Sequence, residues 1–187
     1  MASLITDRIR ESIEVKERIL SDDAMIMKIQ EAGKVVRKAL SDGNKILLCG
    51  NGGSASDSLH IAGEFVGRFQ KERGSLPAIA LNADVASLTS IANDYGYVHV
   101  FERAVEGYGN SGDVLIGIST SGNSENVNLA MKRAQEKGVF TIGLSGKNGG
   151  KMNPLADISI VVPSDCTARI QEAHIMIGHI ICELAEE

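Results

Sequence analysis

Five short apolar runs alternate with longer amphipathic stretches along most of this chain of 187 residues. The runs are rich in Val, Ile and Leu, which is typical of strands that are buried on both faces. Strands that alternate with helices pair in parallel, because each helix returns the chain to the starting edge of the sheet. The sequence therefore predicts an α/β fold in which a five-stranded parallel sheet is flanked by helices on both faces. The predicted strands cover residues 45–49, 78–81, 114–118, 139–144 and 158–162.

Two amphipathic helices are predicted ahead of this alternation, over residues 4–20 and 24–40. Their apolar stripes must be buried against the sheet or against another subunit, so we expect an oligomer. We expect a single domain over residues 1–187, in which residues 1–42 form N-terminal helices used in oligomer packing. Further helices are predicted over residues 55–68, 85–92, 100–106, 125–137 and 168–185.

The charge and composition of the chain argue against a nucleic-acid or membrane partner. The net charge is −5, and the Lys and Arg residues are scattered rather than clustered as they are on a surface that binds a phosphate backbone. Four Phe and three Tyr are too few for base stacking, and no apolar run is long enough to span a bilayer. The three cysteines show no paired spacing, and no leader pattern precedes Leu4. We therefore expect a cytoplasmic chain with reduced thiols.

Two Gly/Ser-rich loops each follow a predicted strand and open a predicted helix. Glycine lets the backbone approach a ligand, hydroxyls donate hydrogen bonds to oxygens, and the start of a helix presents unpaired N–H groups with a positive dipole end. These features predict a phosphate site at the carboxyl end of the sheet, where open parallel sheets bind their ligands. The first loop contains Asn51, Gly52, Gly53 and Ser54, and the second contains four hydroxyls and no cation, from Ser119, Thr120, Ser121 and Ser124.

Other interpretations of the loops stay open on the residues alone, since Gly/Ser clusters are also common in plain turns. Gly50, Gly52 and Ala55 match the dinucleotide pattern G-x-G-x-x-A. That pattern requires an acidic residue about 20 positions later, at the end of the next strand. The next predicted strand ends near Leu81, and Asp84 lies too far along. Nucleotide binding is therefore a minor alternative.

Two predicted helices contain candidate metal ligands on their polar faces. His60 and Glu64, four residues apart, share one face of the helix over residues 55–68. On the last helix, Gln171 and His179 lie off the apolar face and are separated by about 80° of rotation. Imidazole, carboxylate and amide oxygen together suit a zinc-like ion. The apolar face opposite His60 and Glu64 is formed by Leu59, Ile61, Ala62, Phe65 and Val66.

A plainer interpretation of these helices is that their polar residues form solvated faces, with Glu64 paired to Arg68 one turn later. Spacing alone also leaves His174 and Cys182 equally placed as ligands on the last helix. The residue types therefore indicate a metal site without selecting its ligands.

Four motifs along the chain occur together in an order typical of one known family. They are Cys-Gly-Asn-Gly-Gly-Ser-Ala-Ser-Asp-Ser-Leu-His-Ile-Ala-Gly-Glu-Phe, Ala-Asn-Asp-Tyr-Gly, Gly-Ile-Ser-Thr-Ser-Gly-Asn-Ser and Arg-Ile-Gln-Glu-Ala-His-Ile-Met-Ile-Gly-His. In these motifs the chain resembles the sugar isomerase (SIS) domain family, and within it the members that isomerise heptose phosphates. The resemblance covers nearly the whole chain.

The resemblance implies a homotetramer with active sites between subunits. It also implies conversion of D-sedoheptulose 7-phosphate to D-glycero-D-manno-heptose 7-phosphate, the first step of heptose supply for bacterial lipopolysaccharide and other surface polysaccharide. Such a reaction moves a proton between adjacent carbons, for which we expect Glu64 as the base and His179 as the acid.

The resemblance also implies residue roles, motif by motif. We expect one zinc per subunit at partial occupancy, because an amide oxygen binds zinc less firmly than an imidazole or a thiolate. The implied metal ligands are His60, Glu64, Gln171 and His179. The implied substrate contacts are Asn51, Gly52, Gly53, Ser54, Glu64, Arg68, Asn93, Asp94, Ser119, Thr120, Ser121, Ser124 and Gln171.

Two members of other functional classes share this fold. One is a tetrameric scaffold that associates with the replication initiator and lacks parts of the catalytic set, whereas Glu64 and His179 are both present here. The other is a regulatory SIS domain that senses sugar phosphates and is normally fused to a DNA-binding module, for which this sequence has no room.

Overall fold

The computed structural model describes residues 2–187, which form a parallel sheet between two layers of helices. Two short 3-10 turns, Tyr97–His99 and Asn153–Leu155, complete the elements of the described residues. The strands are β1 (Ile46–Gly50), β2 (Ala78–Ala80), β3 (Val114–Ser119), β4 (Phe140–Gly146) and β5 (Ile158–Val162). The helices are α1 (Ala2–Leu20), α2 (Asp23–Ser41), α3 (Gly53–Val66), α4 (Val85–Tyr95), α5 (Val100–Tyr108), α6 (Glu125–Glu136) and α7 (Thr167–Ala185).

All five strands pair in parallel, in the order β2-β1-β3-β4-β5. This order confirms the predicted sheet. The chain adds β2 on one side of β1 and β3 on the other, so the sheet is built in opposite directions from the pair β1 and β3. In this pair Leu48 lies opposite Ile116. At such a switch point the loops that follow the two strands diverge and leave a crevice, which is where doubly wound sheets bind ligands. The two Gly/Ser-rich loops follow β1 and β3.

The strands are apolar on both sides because each side of the sheet packs against helices. Ile46 and Leu48 of β1 pack with α1, α2, α3 and α7, whereas Leu47 and Cys49 pack with α5 and α6. All four side chains are fully buried. This arrangement confirms that helices cover both faces. It also places α3 and α7, which contain the candidate metal ligands, on the same side.

The two N-terminal helices are buried to different extents by the rest of the chain. Asp22 caps α2 by accepting a hydrogen bond from Met25 N, and the apolar face of α2 enters the core beside the sheet and α7. The first half of α1 leaves an apolar stripe in solvent, since Ile5, Ile9 and Ile13 are 61%, 56% and 49% exposed. The core therefore covers α2 and the second half of α1, where Val15 and Ile19 are buried, but not the first half of α1. Within residues 2–187, no helix is both long enough and apolar enough to cross a bilayer.

Details of α3 differ from the prediction. The helix begins at Gly53 and ends at Val66, two residues earlier at each end than expected. Ile61, Ala62 and Phe65 are buried as predicted, but Leu59 and Val66 are 47% and 49% exposed. At 100° per residue, both lie about 100° from the centre of the buried stripe, so they flank the core instead of entering it.

Candidate active site

The loop between β1 and α3 depends on glycine at its turn. Gly52 precedes the helix with φ +56° and ψ −121°, a conformation that side chains disfavour. Asn51 lies next to it and exchanges amide hydrogen bonds with Asn126 of α6, both at 2.9 Å. The loop after β1 is thereby tied to the helix that follows β3, and the two loops face the same crevice.

The loop between β3 and α6 is folded tightly around its hydroxyls. Ser119 Oγ and Ser124 Oγ lie 2.8 Å apart, and Ser121 Oγ accepts a hydrogen bond from Asn123 N at 3.1 Å. Gly122 has φ +65°, and a Cβ there would lie 2.0 Å from the carbonyl oxygen of Gly149. A side chain at position 122 would therefore collide with the neighbouring loop and open the hydroxyl cluster.

Helix α3 and helix α6, which start at these loops, lack a capping side chain. Gly52 offers none to α3, and the hydroxyl of Ser124 is turned to Ser119 instead of to the first amides of α6. Helices α2 and α4, by contrast, are capped by Asp22 and Asp84. An aspartate at the start of α3 or α6 would repel an anion, whereas uncapped N–H groups attract one. Helices α5 and α7 also lack a capping side chain, so the missing caps of α3 and α6 are compatible with the predicted phosphate site because both helices start at the crevice.

Tyr97 closes one side of the crevice. Its hydroxyl donates to Asn51 Oδ1 at 2.9 Å, and a cleft of about 340 Å³ lies between Tyr97, Asn51, Ser124 and Asn126. Tyr97 follows α4 closely, so this contact brings the C-terminal end of α4 towards the first loop. Sequence reasoning missed Tyr97 and Asn126, although each lies within three residues of a quoted motif.

A second cluster lies where α3 and α7 pack together. His60, Glu64 and His179 each offer one ligand atom, and these atoms lie within 4.8 Å of one another. His60 Nε2 is 2.9 Å from His179 Nε2 and 3.2 Å from Glu64 Oε1. The packing of two helices has thus brought together residues that are 119 positions apart in sequence.

This donor set suits zinc, which binds imidazole nitrogen and carboxylate oxygen. Cys182 and His174 do not join the cluster among the described residues. Burial, with added effects of Glu64 and Glu186, raises the pKa of the Cys182 thiol to about 12, so it is not a ready thiolate. Burial lowers the pKa of His174 to about 4, and its Nε2 donates to the carbonyl oxygen of Ser145. Both side chains belong to the core.

Gln171 contacts the first turn of α3. Its amide packs against the start of α3, where a Cβ on Gly53 would be 2.3 Å from Gln171 Nε2. Eight residues of helix separate Gln171 from His179 by about 12 Å along the axis, a distance that the rotational argument leaves out. The structure therefore places Gln171 beside the first loop, and its role as a metal ligand stays a prediction.

The remaining predicted site residues lie at three different places in the fold. Ser54 is buried, and its carbonyl oxygen accepts a hydrogen bond from Ser58. Arg68 lies at the surface and pairs with Glu72 at 3.4 Å, so the alternative pairing of Glu64 with Arg68 is wrong. Asn93 Nδ2 donates to Asp94 at 2.8 Å on the exposed end of α4. Within residues 2–187, neither side chain of that pair bonds to another predicted site residue.

Two further residues near His60 and His179 were not predicted from the sequence. Phe69 stacks on the His179 ring, with centroids 5.3 Å apart and planes inclined by 16°. Asp57 lies one turn before His60 on α3, and its buried Oδ2 makes no hydrogen bond among the described residues. Burial raises the pKa of the Asp57 carboxyl, and His60 partly opposes this rise. The i,i+3 spacing of Asp57 and His60 is a signal that could have found Asp57.

Comparison with known proteins shows which class of protein this chain belongs to. A parallel α/β domain with hydroxyl-rich loops at its switch point and a His/Glu/His cluster nearby has the features of a sugar-phosphate isomerase domain. Residues 9–146 match the model of the SIS domain family. That match covers most of the sheet and both Gly/Ser-rich loops.

Similar proteins show which group within the SIS domain family this chain belongs to. The phosphoheptose isomerase of Clostridium acetobutylicum is 55% identical over 187 residues, covering 100% of this chain and 95% of the relative. Phosphoheptose isomerase 2 of Campylobacter jejuni is 55% identical over 185 residues, covering 99% and 92%. The solved phosphoheptose isomerase of Neisseria gonorrhoeae superposes with a TM-score of 0.93 at 40% identity, covering 99% and 98%. The chain therefore belongs to the phosphoheptose isomerases of the SIS domain family.

Proposed function

We propose that this chain interconverts D-sedoheptulose 7-phosphate and D-glycero-D-manno-heptose 7-phosphate, and so supplies heptose for bacterial surface polysaccharide. The observation that supports the proposal best is the meeting of His60, Glu64 and His179 between α3 and α7. A scaffold would need no such cluster. This chain matches its relatives over nearly their whole length, and those relatives are named phosphoheptose isomerases. Their names agree with a heptose phosphate as the substrate.

The reaction moves hydrogen between two adjacent carbons. We propose that Glu64 removes a proton from C1 of the ketose while His179 donates a proton to the oxygen on C2, which yields an enediol. Loss of the O1 proton and return of a proton to C2 complete the aldose. Glu64 Oε1 and the two imidazoles lie within a few ångströms of one another, so one substrate carbon pair can reach both groups.

The phosphate is proposed to bind at the loop over residues 119–124 and at the uncapped start of α6. Thr120 and Ser121 are partly exposed there, whereas Ser119 is buried and holds Ser124. Hydroxyl and N–H donors fix the orientation of the phosphate without adding a cation. We propose that Asn51 and the backbone of Gly52 and Gly53 contact the sugar from the first loop.

We propose zinc as the metal at His60, Glu64 and His179, with Gln171 as the fourth ligand. Zinc bound there would polarise the substrate carbonyl and stabilise negative charge on its oxygen. Glu64 would then hold two roles, ligand and base. We expect His60→Ala to lower both zinc content and turnover, and Cys182→Ala to leave both unchanged. Elemental analysis that finds full zinc in His60→Ala would contradict the ligand set.

We propose a homotetramer assembled through α1 and the groove beside it. A groove of about 510 Å³ is lined by residues of α1, α2 and α7, all of them apolar apart from Lys16 and Gln30. The stripe of Ile5, Ile9 and Ile13 continues this apolar surface along α1. Surfaces of this kind mark subunit contacts. Sedimentation should give a tetramer, and a stable, active monomer would contradict the proposal.

The single-domain division over residues 1–187 also stays a proposal, supported by the core that α2 shares with the sheet and α7. The proposed location is the cytoplasm. Cys49, Cys166 and Cys182 are free thiols, which is the usual state in a reducing compartment.

One assay tests the proposed function. Purified chain is incubated with D-sedoheptulose 7-phosphate, and formation of the aldose phosphate is followed with and without a chelator. We expect turnover that the chelator removes and added zinc restores. Absence of turnover in zinc-loaded protein would contradict the proposed reaction, whereas turnover that survives full removal of metal would contradict only the metal.

A further inference from the structure

Glu186 lies just past α7 and holds the segment that follows α3. Its side chain is only 1% exposed. It accepts hydrogen bonds from three consecutive backbone N–H groups, those of Phe69, Gln70 and Lys71, at 2.8 to 3.1 Å. Arg73 Nε adds a fourth bond at 2.7 Å. One carboxylate thus fastens the whole turn after α3 to the end of α7.

Arg73 extends this connection to the backbone of the candidate base. Its guanidinium donates to the carbonyl oxygens of Glu64 and Phe65, both at 2.9 Å. These carbonyls belong to the last turn of α3, where helical partners are missing. Arg73 forms an ion pair with Glu186 that is nearly buried, so its guanidinium is held in one position. It thereby fixes the last turn of α3, which contains Glu64.

The same segment reaches His179 through Phe69. The Phe69 ring stacks on one side of His179, and His60 meets His179 edge to face with centroids 5.0 Å apart. The backbone N–H of Phe69 donates to Glu186, which lies seven residues after His179, at the C-terminal end of α7. The imidazole is therefore held between a ring on α3 and a ring that Glu186 positions.

We infer that Glu186 and Arg73 form a clamp that sets the positions of Glu64 and His179 relative to each other. In this role both are positioning residues. Arg73 contacts Glu64 through its main-chain oxygen, and Glu186 acts on His179 through Phe69. The phosphate loops lie at the ends of β1 and β3, outside this set of contacts. Loss of the clamp should therefore disturb proton transfer more than substrate binding. This inference rests on the proposed function for its kinetic part.

The test compares Glu186→Gln, Arg73→Lys and a control, Glu183→Gln, whose side chain is exposed on the last turn of α7. Gln keeps the size of Glu186 but loses the charge, and Lys keeps the charge of Arg73 but loses the fork. We expect both clamp variants to lower kcat at least tenfold with KM within about twofold, since misplacement of about 1 Å can cost about 100-fold. The control should match wild type. Clamp variants that lose thermal stability yet keep wild-type kcat would overturn the inference.

A second readout is independent of catalysis. The chain has four histidines, so labelled imidazole resonances can be assigned by single substitutions. In Glu186→Gln the His179 ring resonances should shift as the Phe69 ring moves away, while His99 should stay unchanged. If that variant does not fold, Phe69→Leu removes the stacked ring and leaves the ion pair, and it should lower kcat in the same way. Unmoved His179 resonances in Glu186→Gln, or wild-type kcat in Phe69→Leu, would overturn the clamp. If wild type has no isomerase activity but the His179 resonances shift in Glu186→Gln, the proposed function is contradicted and the clamp is not.

Discussion

A methyl group added at Gly53 should displace Gln171 while leaving the fold intact. Gly53 is the first residue of α3, and its φ is not in the left-handed region, so alanine suits the backbone. The added Cβ would lie 2.3 Å from Gln171 Nε2 and 2.9 Å from its Cδ. Carbon and nitrogen pack at about 3.5 Å, so the amide has to move by about 1 Å. The end of a flexible side chain can make that move at low cost.

We expect Gly53→Ala to keep the thermal midpoint of the wild type, because alanine favours helix by up to about 1 kcal/mol over glycine and offsets the strain. Turnover of sedoheptulose 7-phosphate should fall by about 10- to 100-fold, since a catalytic site tolerates little misplacement. The matched control is Gly107→Ala on α5, where a Cβ meets nothing within 4 Å. The control should gain stability and keep full activity.

A double-mutant cycle separates displacement of Gln171 from blocking of the substrate. If Gly53→Ala acts through Gln171, adding it to Gln171→Ala should cost little further activity. Losses that multiply in the double variant would show that the methyl group obstructs the sugar directly. Wild-type kcat and KM in Gly53→Ala would refute the reasoning, because the amide would then have no part in the site.

Three further outcomes follow from the contacts. Ser124→Ala should weaken binding of the heptose phosphate by about 1–3 kcal/mol and leave unphosphorylated sedoheptulose unaffected, as steady-state kinetics on both sugars would show. Phe65→Ala, at a fully buried ring, should lower the free energy of unfolding by about 3–5 kcal/mol in urea titrations. Burial opposes the charge on Glu186, but the N–H groups of Lys71, Gln70 and Phe69 and the Arg73 side chain lower its pKa to about 2. The charge of Glu186 therefore contributes fully to the free energy of unfolding above its ordinary pKa of 4.5, and this contribution is lost as the pH falls towards 2. The difference in stability between wild type and Glu186→Gln should shrink over that range.

Local pattern was enough to predict the sheet and most element boundaries. Both faces of β1 and β3 are buried, so continuous apolar runs marked the strands without ambiguity. The positions of the two loops were also predictable, because glycine and hydroxyl residues cluster where β1 and β3 end, but the residues alone left their role open. His60 and Glu64 could be paired by helical spacing alone. Leu59 and Val66 were assigned wrongly because composition does not show where the edge of a buried stripe lies.

The support of the site was not predictable, since it depends on how α3 and α7 pack. Phe69, Arg73 and Glu186 interact across more than 110 positions, and the segment between α3 and β2 has no periodic pattern. The contact of Gln171 with the start of α3 also needed the structure. A family resemblance implied a set of ligands residue by residue, but it did not show that His60, Glu64 and His179 meet within one subunit.

We propose that Glu64 transfers the proton between C1 and C2 of a heptose phosphate. The most direct test of this proposal follows D-sedoheptulose 7-phosphate in D₂O by NMR, with wild type and Glu64→Gln at matched zinc content. We predict that wild type forms the aldose phosphate, with deuterium at C2 where the transferred proton exchanges with solvent. We predict that Glu64→Gln, folded and assembled as wild type, is slower by about 10²–10⁴-fold or more. Turnover by Glu64→Gln close to wild type would contradict the role of Glu64 as the base.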